Sequence, residues 1–132
     1  MKKVFLILSV LIGLASLMSS CAKKEGCPDS TALNYDSSAE KDNGTCTYKG
    51  KTTFWNDATS NLGLVTVTMA DGTTGTITGN YPSSPNCDAA NCFTYTTKPG
   101  TYSYTAVETG GSGTWSGSVT ITSQGCLKVR LY

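Results

Sequence analysis

Residues 63–72 read GLVTVTMADG, and this stretch decides the fold class. Apolar side chains alternate with threonines, so Val65, Val67 and Met69 share one face of an extended chain. A period of two with one polar face is typical of a strand that covers a core with one side. The Asp-Gly pair at 71–72 favours a tight hairpin turn. The stretch therefore predicts a strand that turns back into an antiparallel neighbour.

The alternation continues through the rest of the chain, in GTYSYTAVE (100–108), TWSGSVTITS (114–123) and CLKVRLY (126–132). Several short alternating runs with turn signals between them are typical of a β-sandwich. We predict an all-β fold, a small antiparallel β-sandwich over residues 50–132, with Phe54, Trp55, Phe93 and Trp115 in its core. The predicted strands number about seven and lie near 52–58, 63–70, 73–81, 92–98, 101–109, 114–123 and 126–132.

The order of these motifs resembles PEGA-like and other prealbumin- or Ig-like envelope modules. In such modules a strand leads to Asp-Gly, a Pro-Gly-Thr-Tyr turn opens the next strand, and a final strand closes the sheet. Residues 99–102 supply that turn, and the resemblance spans most of residues 62–132. It implies a scaffold or binding domain rather than an enzyme, although a fold does not fix a function.

Composition narrows the function classes. The chain has 10 basic and 9 acidic residues, a formal net charge of +1, and so lacks the basic footprint that nucleic-acid binding needs. It contains no histidine, which removes the commonest general base and the commonest transition-metal ligand. We therefore predict no catalytic residues, no nucleic-acid partner and no resident cofactor.

The N-terminus has the layout of a secretory leader. Lysines at positions 2 and 3 precede an apolar run from Val4 to Leu17, which is short of the roughly 18–20 residues of a membrane-spanning helix. Residues 17–21 read LMSSC and resemble the lipobox of bacterial lipoproteins. The resemblance implies a signal peptide over 1–20, forming a signal helix and cleaved before Cys21, and fatty acyl chains such as palmitate attached at Cys21.

Charged residues directly after Cys21 also resemble the export signals of Bacteroidetes surface lipoproteins. Lys23, Lys24 and Glu25 provide them, where an aspartate would suggest retention in the inner membrane. The resemblance implies an outer-membrane lipoprotein, with exposure at the cell surface as an open alternative. An ordinary secretory signal with an incidental cysteine is the other interpretation.

Residues 21–49 form the predicted tether and a short Cys-bounded module rich in Asp and Asn. A Cys27–Cys46 disulfide would stabilise a segment too small to build a core. The segment resembles a surface-protein repeat of Bacteroidetes, with the pattern Cys-x-Asp-x-x-Ala-x-Asn-Tyr, then Ala, then Asp-Asn-Gly-Thr-Cys-x-Tyr. The matching residues are Cys27, Asp29, Ala32, Asn34, Tyr35, Ala39, Asp42, Asn43, Gly44, Thr45, Cys46 and Tyr48. Such repeats are usually spacers or structural appendages.

Two further sites are candidates within this module. Oxygen-bearing side chains suit Ca²⁺, although the spacing is not that of an EF-hand and Asp and Asn also favour turns. Asp29-Ser30-Thr31 resembles the motif at which Bacteroidetes O-glycosylate exported proteins, with Ser30 as the acceptor. The candidate calcium ligands are Asp29, Asn34, Asp36, Asp42 and Asn43.

The loop YPSSPNCDAANC, residues 81–92, interrupts the strand pattern and is the predicted binding surface. Without Cys21, five cysteines remain, so one is left over. We predict a local Cys87–Cys92 disulfide with Cys126 unpaired, and keep pairing of either cysteine with Cys126 as the alternative.

Two surface patterns suggest ligands. Thr-x-Thr occurs at 66–68, 76–78, 94–96 and 120–122; on neighbouring strands these threonines would form a flat hydroxyl array, which resembles the ladders of some ice-binding proteins. Tyrosines could instead stack on sugars if several are exposed. Those tyrosines are Tyr81, Tyr95, Tyr102, Tyr104 and Tyr132.

The sequence thus predicts a non-catalytic, lipid-anchored envelope lipoprotein that serves as a structural or binding module and contacts the membrane through its lipid. The alternatives are a glycan- or protein-recognition subunit of a surface assembly, and an inhibitor or immunity lipoprotein.

Overall fold

The computed structural model describes residues 22–132. The predicted leader and the lipidation residue Cys21 lie outside the described residues. Within them the fold is all-β, with ten strands and no helix, and none of this part of the chain forms a helix suited to crossing a membrane. The strands are β1 (Glu25–Gly26), β2 (Lys41–Asp42), β3 (Gly50–Asp57), β4 (Val65–Met69), β5 (Thr74–Ile77), β6 (Asn80–Tyr81), β7 (Phe93–Thr97), β8 (Gly100–Glu108), β9 (Thr114–Ile121) and β10 (Cys126–Leu131).

Eight of these strands form two larger sheets. The first, called the β3 sheet, has β10 on one side of β3 and both β6 and β7 along the other. The second, called the β8 sheet, has the order β5-β4-β8-β9 and is antiparallel throughout. A short parallel pair of β1 and β2 lies in the N-terminal module.

The β3 sheet is mixed, whereas the sequence predicted only antiparallel pairing. β3 pairs in parallel with β10 and β6 and antiparallel with β7. The predicted strand 73–81 is also two strands: β5 belongs to the β8 sheet and β6 to the β3 sheet. The chain changes sheets at Thr78 and Gly79, where the Thr78 amide donates to the Asn91 carbonyl instead of continuing a ladder.

One hydrophobic cluster joins the two sheets. Val65, Val67 and Met69 all lie in it, as the opening stretch predicted. Phe54 is fully buried at its centre, and its ring meets the Tyr104 ring edge-on at 4.7 Å between centroids. The other buried members are Ile77, Tyr95, Ala106, Val119, Ile121 and Leu131, while Phe93 and Trp115 pack against the cluster.

The loop 81–92, which the Cys87–Cys126 disulfide attaches to β10 and which we call the disulfide-anchored loop, covers the other face of β3. Trp55, which is 5% exposed, points away from the Phe54 side of the strand, and Pro85 in the loop is buried as well. The loop is attached to this face where Asp88 pairs with Lys51 and where the Asp88 amide donates to Thr94 Oγ1. Trp55 is therefore buried under the loop rather than in the main cluster.

Candidate functional site

The outward side of the β8 sheet carries a continuous field of hydroxyl groups. Because side chains alternate along a strand, the residues between the core-facing positions of β4, β5, β8 and β9 all project to this side. Eleven of them are threonines or serines, and we call this surface the hydroxyl face: Thr66, Thr68, Thr74, Thr76, Thr101, Ser103, Thr105, Thr114, Ser116, Ser118 and Thr120.

The strand register aligns these side chains in rows across the sheet. One row runs from Thr74 through Thr68 and Thr105 to Ser116, and the next pairs Ser103 with Ser118. Neighbouring members lie roughly 4.8 Å apart across strands and about 6.7 Å apart along them. The result is an ordered polar grid rather than a scatter of surface hydroxyls.

Most of these hydroxyls are free to bind something else. Thr101 Oγ1 and Thr120 Oγ1 share a hydrogen bond of 3.1 Å. Within residues 22–132, the other nine make no side-chain hydrogen bond to the protein. Because a hydroxyl can both donate and accept a hydrogen bond, the face can bind ligand groups of either kind.

The hydroxyl face carries no charged side chain and has an apolar border. Val107 lies in the row of Thr66 and is 52% exposed, and Leu64, which precedes Thr66 on the same side, is 48% exposed. Shallow depressions of about 130 and 290 Å³ lie on this sheet, and Thr105 lines both of them. Thr105 therefore stands near the centre of the accessible surface.

The sequence predicted part of this face. Thr66, Thr68, Thr76 and Thr120 lie in it, but the other members of the four Thr-x-Thr motifs do not. Thr94 and Thr96 belong to β7 in the β3 sheet. Thr78 Oγ1 donates to Asn91 Oδ1 instead. Apart from Thr120, the β8 and β9 members belong to no Thr-x-Thr motif, although the alternation of GTYSYTAVE and TWSGSVTITS sets their hydroxyls opposite the core-facing residues.

Most of the five tyrosines that were candidates for stacking on sugars have little exposed surface. Tyr95 is 6% exposed and donates to Asp71 Oδ2 at 2.7 Å, and Tyr102 and Tyr104 pack against the core. The half-buried Tyr81 donates to the Ala90 carbonyl. Tyr132 is 75% exposed, with the Arg130 guanidinium 4.6 Å from its ring centroid. The five side chains form no common stacking surface.

The candidate calcium ligands are engaged in turn hydrogen bonds. Asp29 Oδ1 accepts from the Thr31 amide at 2.8 Å, and Asp36, Asp42 and Asn43 accept from the amide two residues ahead in the same way. Asn34 bridges the Thr45 carbonyl and the Thr47 amide. In the described part of the chain no group of three or more acidic or cysteine side chains is arranged to hold a metal ion.

These turn bonds explain the acidity of the aspartates. Donation from the Ser38 hydroxyl, then from Lys24 and the Ser38 amide, lowers the pKa of Asp36 to about 2. The Thr31 amide, the Tyr48 hydroxyl and the Thr31 hydroxyl lower the pKa of Asp29. Both carboxylates are therefore fixed as acceptors that order the module. Ser30, the candidate glycosylation site, is exposed beside them.

Among residues 22–132 the disulfides are Cys27–Cys46 and Cys87–Cys126, and Cys92 is a free thiol. The first is the bridge that the sequence predicted for the N-terminal module. The predicted Cys87–Cys92 pair was wrong, and so was the unpaired Cys126. Two tight turns lie between Cys87 and Cys92, with the Ala89 amide donating to Asn86 and the Cys92 amide to Ala89, and Asp88 and Asn91 have positive φ.

The two cysteines at the ends of these turns have different neighbours. Cys87 joins β10, whereas Cys92 lies beside Tyr81, where burial raises the pKa of the Cys92 thiol. The loop 81–92 is thus attached to the sheets at Cys87, Asp88 and Asn91, while Pro82, Ser83 and Ser84 remain exposed.

Comparison with protein-family models, curated proteins and solved structures found no match for this chain.

Proposed function

We propose that this chain is a non-catalytic, lipid-anchored lipoprotein that acts as a structural or binding module at the outer membrane or cell surface. Residues 1–20 are its signal peptide, 21–49 its lipidated tether and disulfide-bonded module, and 50–132 a β-sandwich recognition domain. The LMSSC leader pattern and the two disulfides support export to an oxidising compartment. The absence of histidine from the sequence and the use of aspartates in turns support a non-catalytic role.

The anchor follows from the chemistry of acylation. One acyl chain holds a protein only marginally at a membrane, at about 0.8 kcal/mol per buried methylene, and two or three make the attachment lasting. A Cys21→Ser variant should therefore leave the membrane fraction, while a Cys92→Ser variant should remain in it. Equal membrane retention of both variants would contradict the lipid anchor.

The hydroxyl face is the observation that carries the recognition part of the proposal. The nine free hydroxyls of this face offer many weak hydrogen-bond donors and acceptors. The face has no charged group that would bind an ion. The ligand that complements such a surface is a neutral polyhydroxylated one, a glycan chain laid across the strands. Hydrogen bonds between neutral groups contribute about 1 kcal/mol each, so binding needs several rows at once.

The test is retention of the protein on insoluble neutral polysaccharides and on a glycan array. Thr105→Lys places a long charged side chain at the centre of the face, and we expect at least a tenfold loss of retention. Thr96→Lys is the matched control, since Thr96 is an exposed threonine on a strand of the other sheet. Equal behaviour of the two variants would contradict the hydroxyl face as the glycan site.

Two other ligands would use the same face. An ordered hydroxyl grid also suits an ice surface, which thermal hysteresis of the purified protein would detect. A protein partner, as in a surface assembly or an inhibitor or immunity role, would appear as a stoichiometric component in a pull-down from outer-membrane extract. Either result without glycan retention would replace the glycan proposal.

A further inference from the structure

β9 is an edge strand of the β8 sheet. Its eight residues pair with β8 over the whole of Thr114–Ile121, and in the described part of the chain no strand lies on its other side. An edge strand presents a row of unpaired N–H and C=O groups that can pair with another chain.

The hairpin between β8 and β9 shows which residues face outward. The Glu108 amide donates to the Gly113 carbonyl at 2.8 Å, so Glu108 and Gly113 are a hydrogen-bonded pair. Such pairs alternate along an antiparallel ladder. Ser103 is therefore not bonded to Ser118, and its carbonyl instead accepts from Ala70 on the β4 side, at 2.9 Å. The β9 residues that turn their backbone groups to the free edge are Thr114, Ser116, Ser118 and Thr120.

The other edges carry protection that β9 lacks. β10 has Lys128 and Arg130, and β5 is only four residues long. β6 and β7 lie beside the disulfide-anchored loop. Between Thr109 and Leu127 the sequence contains no charged residue and no proline. Charges, prolines and short lengths are the usual means by which proteins prevent edge pairing.

Apolar side chains flank the same edge on its core side. β10 contacts β9 across the sandwich; its Leu127 is 39% exposed, and Trp115 of β9 and Val129 of β10 are half-buried. A strand added to β9 would bring further side chains over this strip and reduce its contact with water. The edge thus offers both main-chain hydrogen bonds and adjoining apolar area, the two components of strand addition.

We propose that two copies of this chain pair antiparallel through β9 and form one continuous eight-stranded sheet. A two-fold axis at Gly117 sets Ser116 opposite Ser118 and Thr114 opposite Thr120, so that all four outward residues find hydrogen-bonded mates. Gly117 meets its own copy with no side chain between them. No like charges face each other, and Ser/Thr pairs are favourable across strands. This self-complementarity favours a second copy over an unrelated peptide.

The test is the oligomeric state of the full chain in detergent solution, measured by sedimentation equilibrium. We expect a reversible dimer and at least a tenfold weaker association for Ser118→Lys, which places two lysines beside the axis. Ser103→Lys is the matched control: Ser103 is the β8 partner of Ser118, equally exposed on the same face but one strand inside the edge. It should associate as the wild type does.

Three results would overturn the proposal: a wild type that stays monomeric at every concentration, two variants that both associate normally, or a Ser103→Lys variant that is weakened as much as Ser118→Lys. Equal weakening by Ser103→Lys would indicate that the two copies associate through the hydroxyl face and not through the edge of β9. If Ser118→Lys does not fold, amide hydrogen exchange of the wild type decides instead. The Ser116 and Ser118 amides should become more protected as concentration rises, and concentration-independent exchange would overturn the dimer.

Discussion

Thr52 and Thr53 are neighbours in β3 and both are fully buried, but only one of the two hydroxyls has a hydrogen-bond partner. Thr53 Oγ1 shares a hydrogen bond of 2.8 Å with Thr94 Oγ1. Thr52 Oγ1 is buried and has no partner among the described residues. A buried polar group without a partner costs free energy of folding, whereas a bonded one contributes about 1 kcal/mol.

Valine substitutions at these two positions should therefore have opposite effects. Thr52→Val removes an unsatisfied hydroxyl at nearly constant shape, and we expect the free energy of unfolding to rise by up to about 1 kcal/mol. Thr53→Val should lower it by about 1 kcal/mol or more, since Thr94 loses its partner. Urea unfolding monitored by tryptophan fluorescence measures both. The same sign of change in both variants would contradict this account of β3.

Asp57 couples stability to pH. The Thr59 hydroxyl and amide donate to its carboxylate, Arg130 lies 3.1 Å away, and these interactions lower the pKa of Asp57 below its ordinary 3.8. A carboxyl group with a lowered pKa in the folded state contributes stability above its unfolded pKa and loses it as the pH falls. We expect stability to decline below about pH 5.

Asp57→Asn should flatten part of that acid decline, because the variant has no carboxyl group to protonate at this position. Denaturant midpoints measured at a series of acidic pH values give the slope for each protein. Asp29, Asp36 and Asp71 also have a lowered pKa, so the variant keeps some of the dependence. Parallel slopes for the variant and the wild type would show that Asp57 is not linked to folding in this way.

At the scale of elements, the Cys87–Cys126 disulfide attaches the loop over β3 to the edge strand β10. It joins cysteines with a sequence separation of 39, for which the loss of unfolded-chain entropy corresponds to about 2–4 kcal/mol. We expect the double variant Cys87→Ser/Cys126→Ser to lose that much in free energy of unfolding and to expose Trp55 to quenchers. Thermal unfolding and acrylamide quenching measure the two effects.

Cys92→Ser is the control for this disulfide, since it removes a cysteine of the same loop without breaking a bridge. Its stability should stay within about 1 kcal/mol of the wild type. A Cys92→Ser variant as unstable as the double variant would indicate that Cys92, not Cys126, holds the loop.

The local alternation of residues was enough to predict most strands, but not which strands pair with each other. The alternation around Val65 and Val119 predicted β4 and β9 to within a few residues, because one buried face leaves a period of two in the sequence. The parallel pairing of β3 with β10 has no such local signal, since Lys51 and Cys126 are brought together only by the whole chain. The sequence left the Cys87–Cys126 bridge as an alternative to Cys87–Cys92 for the same reason, since the choice depends on that pairing.

At the scale of the molecule, the candidate site emerges only when the strands are ordered. The sequence shows that Thr66 and Thr120 alternate with core residues, but it does not show that β4 and β9 flank β8 on one sheet. Once that order is known, threonines and serines that look like ordinary strand residues become one charge-free surface. The N-terminal module was more predictable, because Cys27 and Cys46 frame a short segment with few alternatives for pairing.

The central claim is that the chain matures into a lipid-anchored envelope protein with two disulfides. Intact mass spectrometry of the protein from its native membrane, alkylated with and without prior reduction, tests it most directly. The predicted result is a chain that begins at Cys21 with added acyl mass, one alkylated thiol at Cys92 before reduction, and four more after it. An unacylated mature chain in the soluble fraction would contradict the claim.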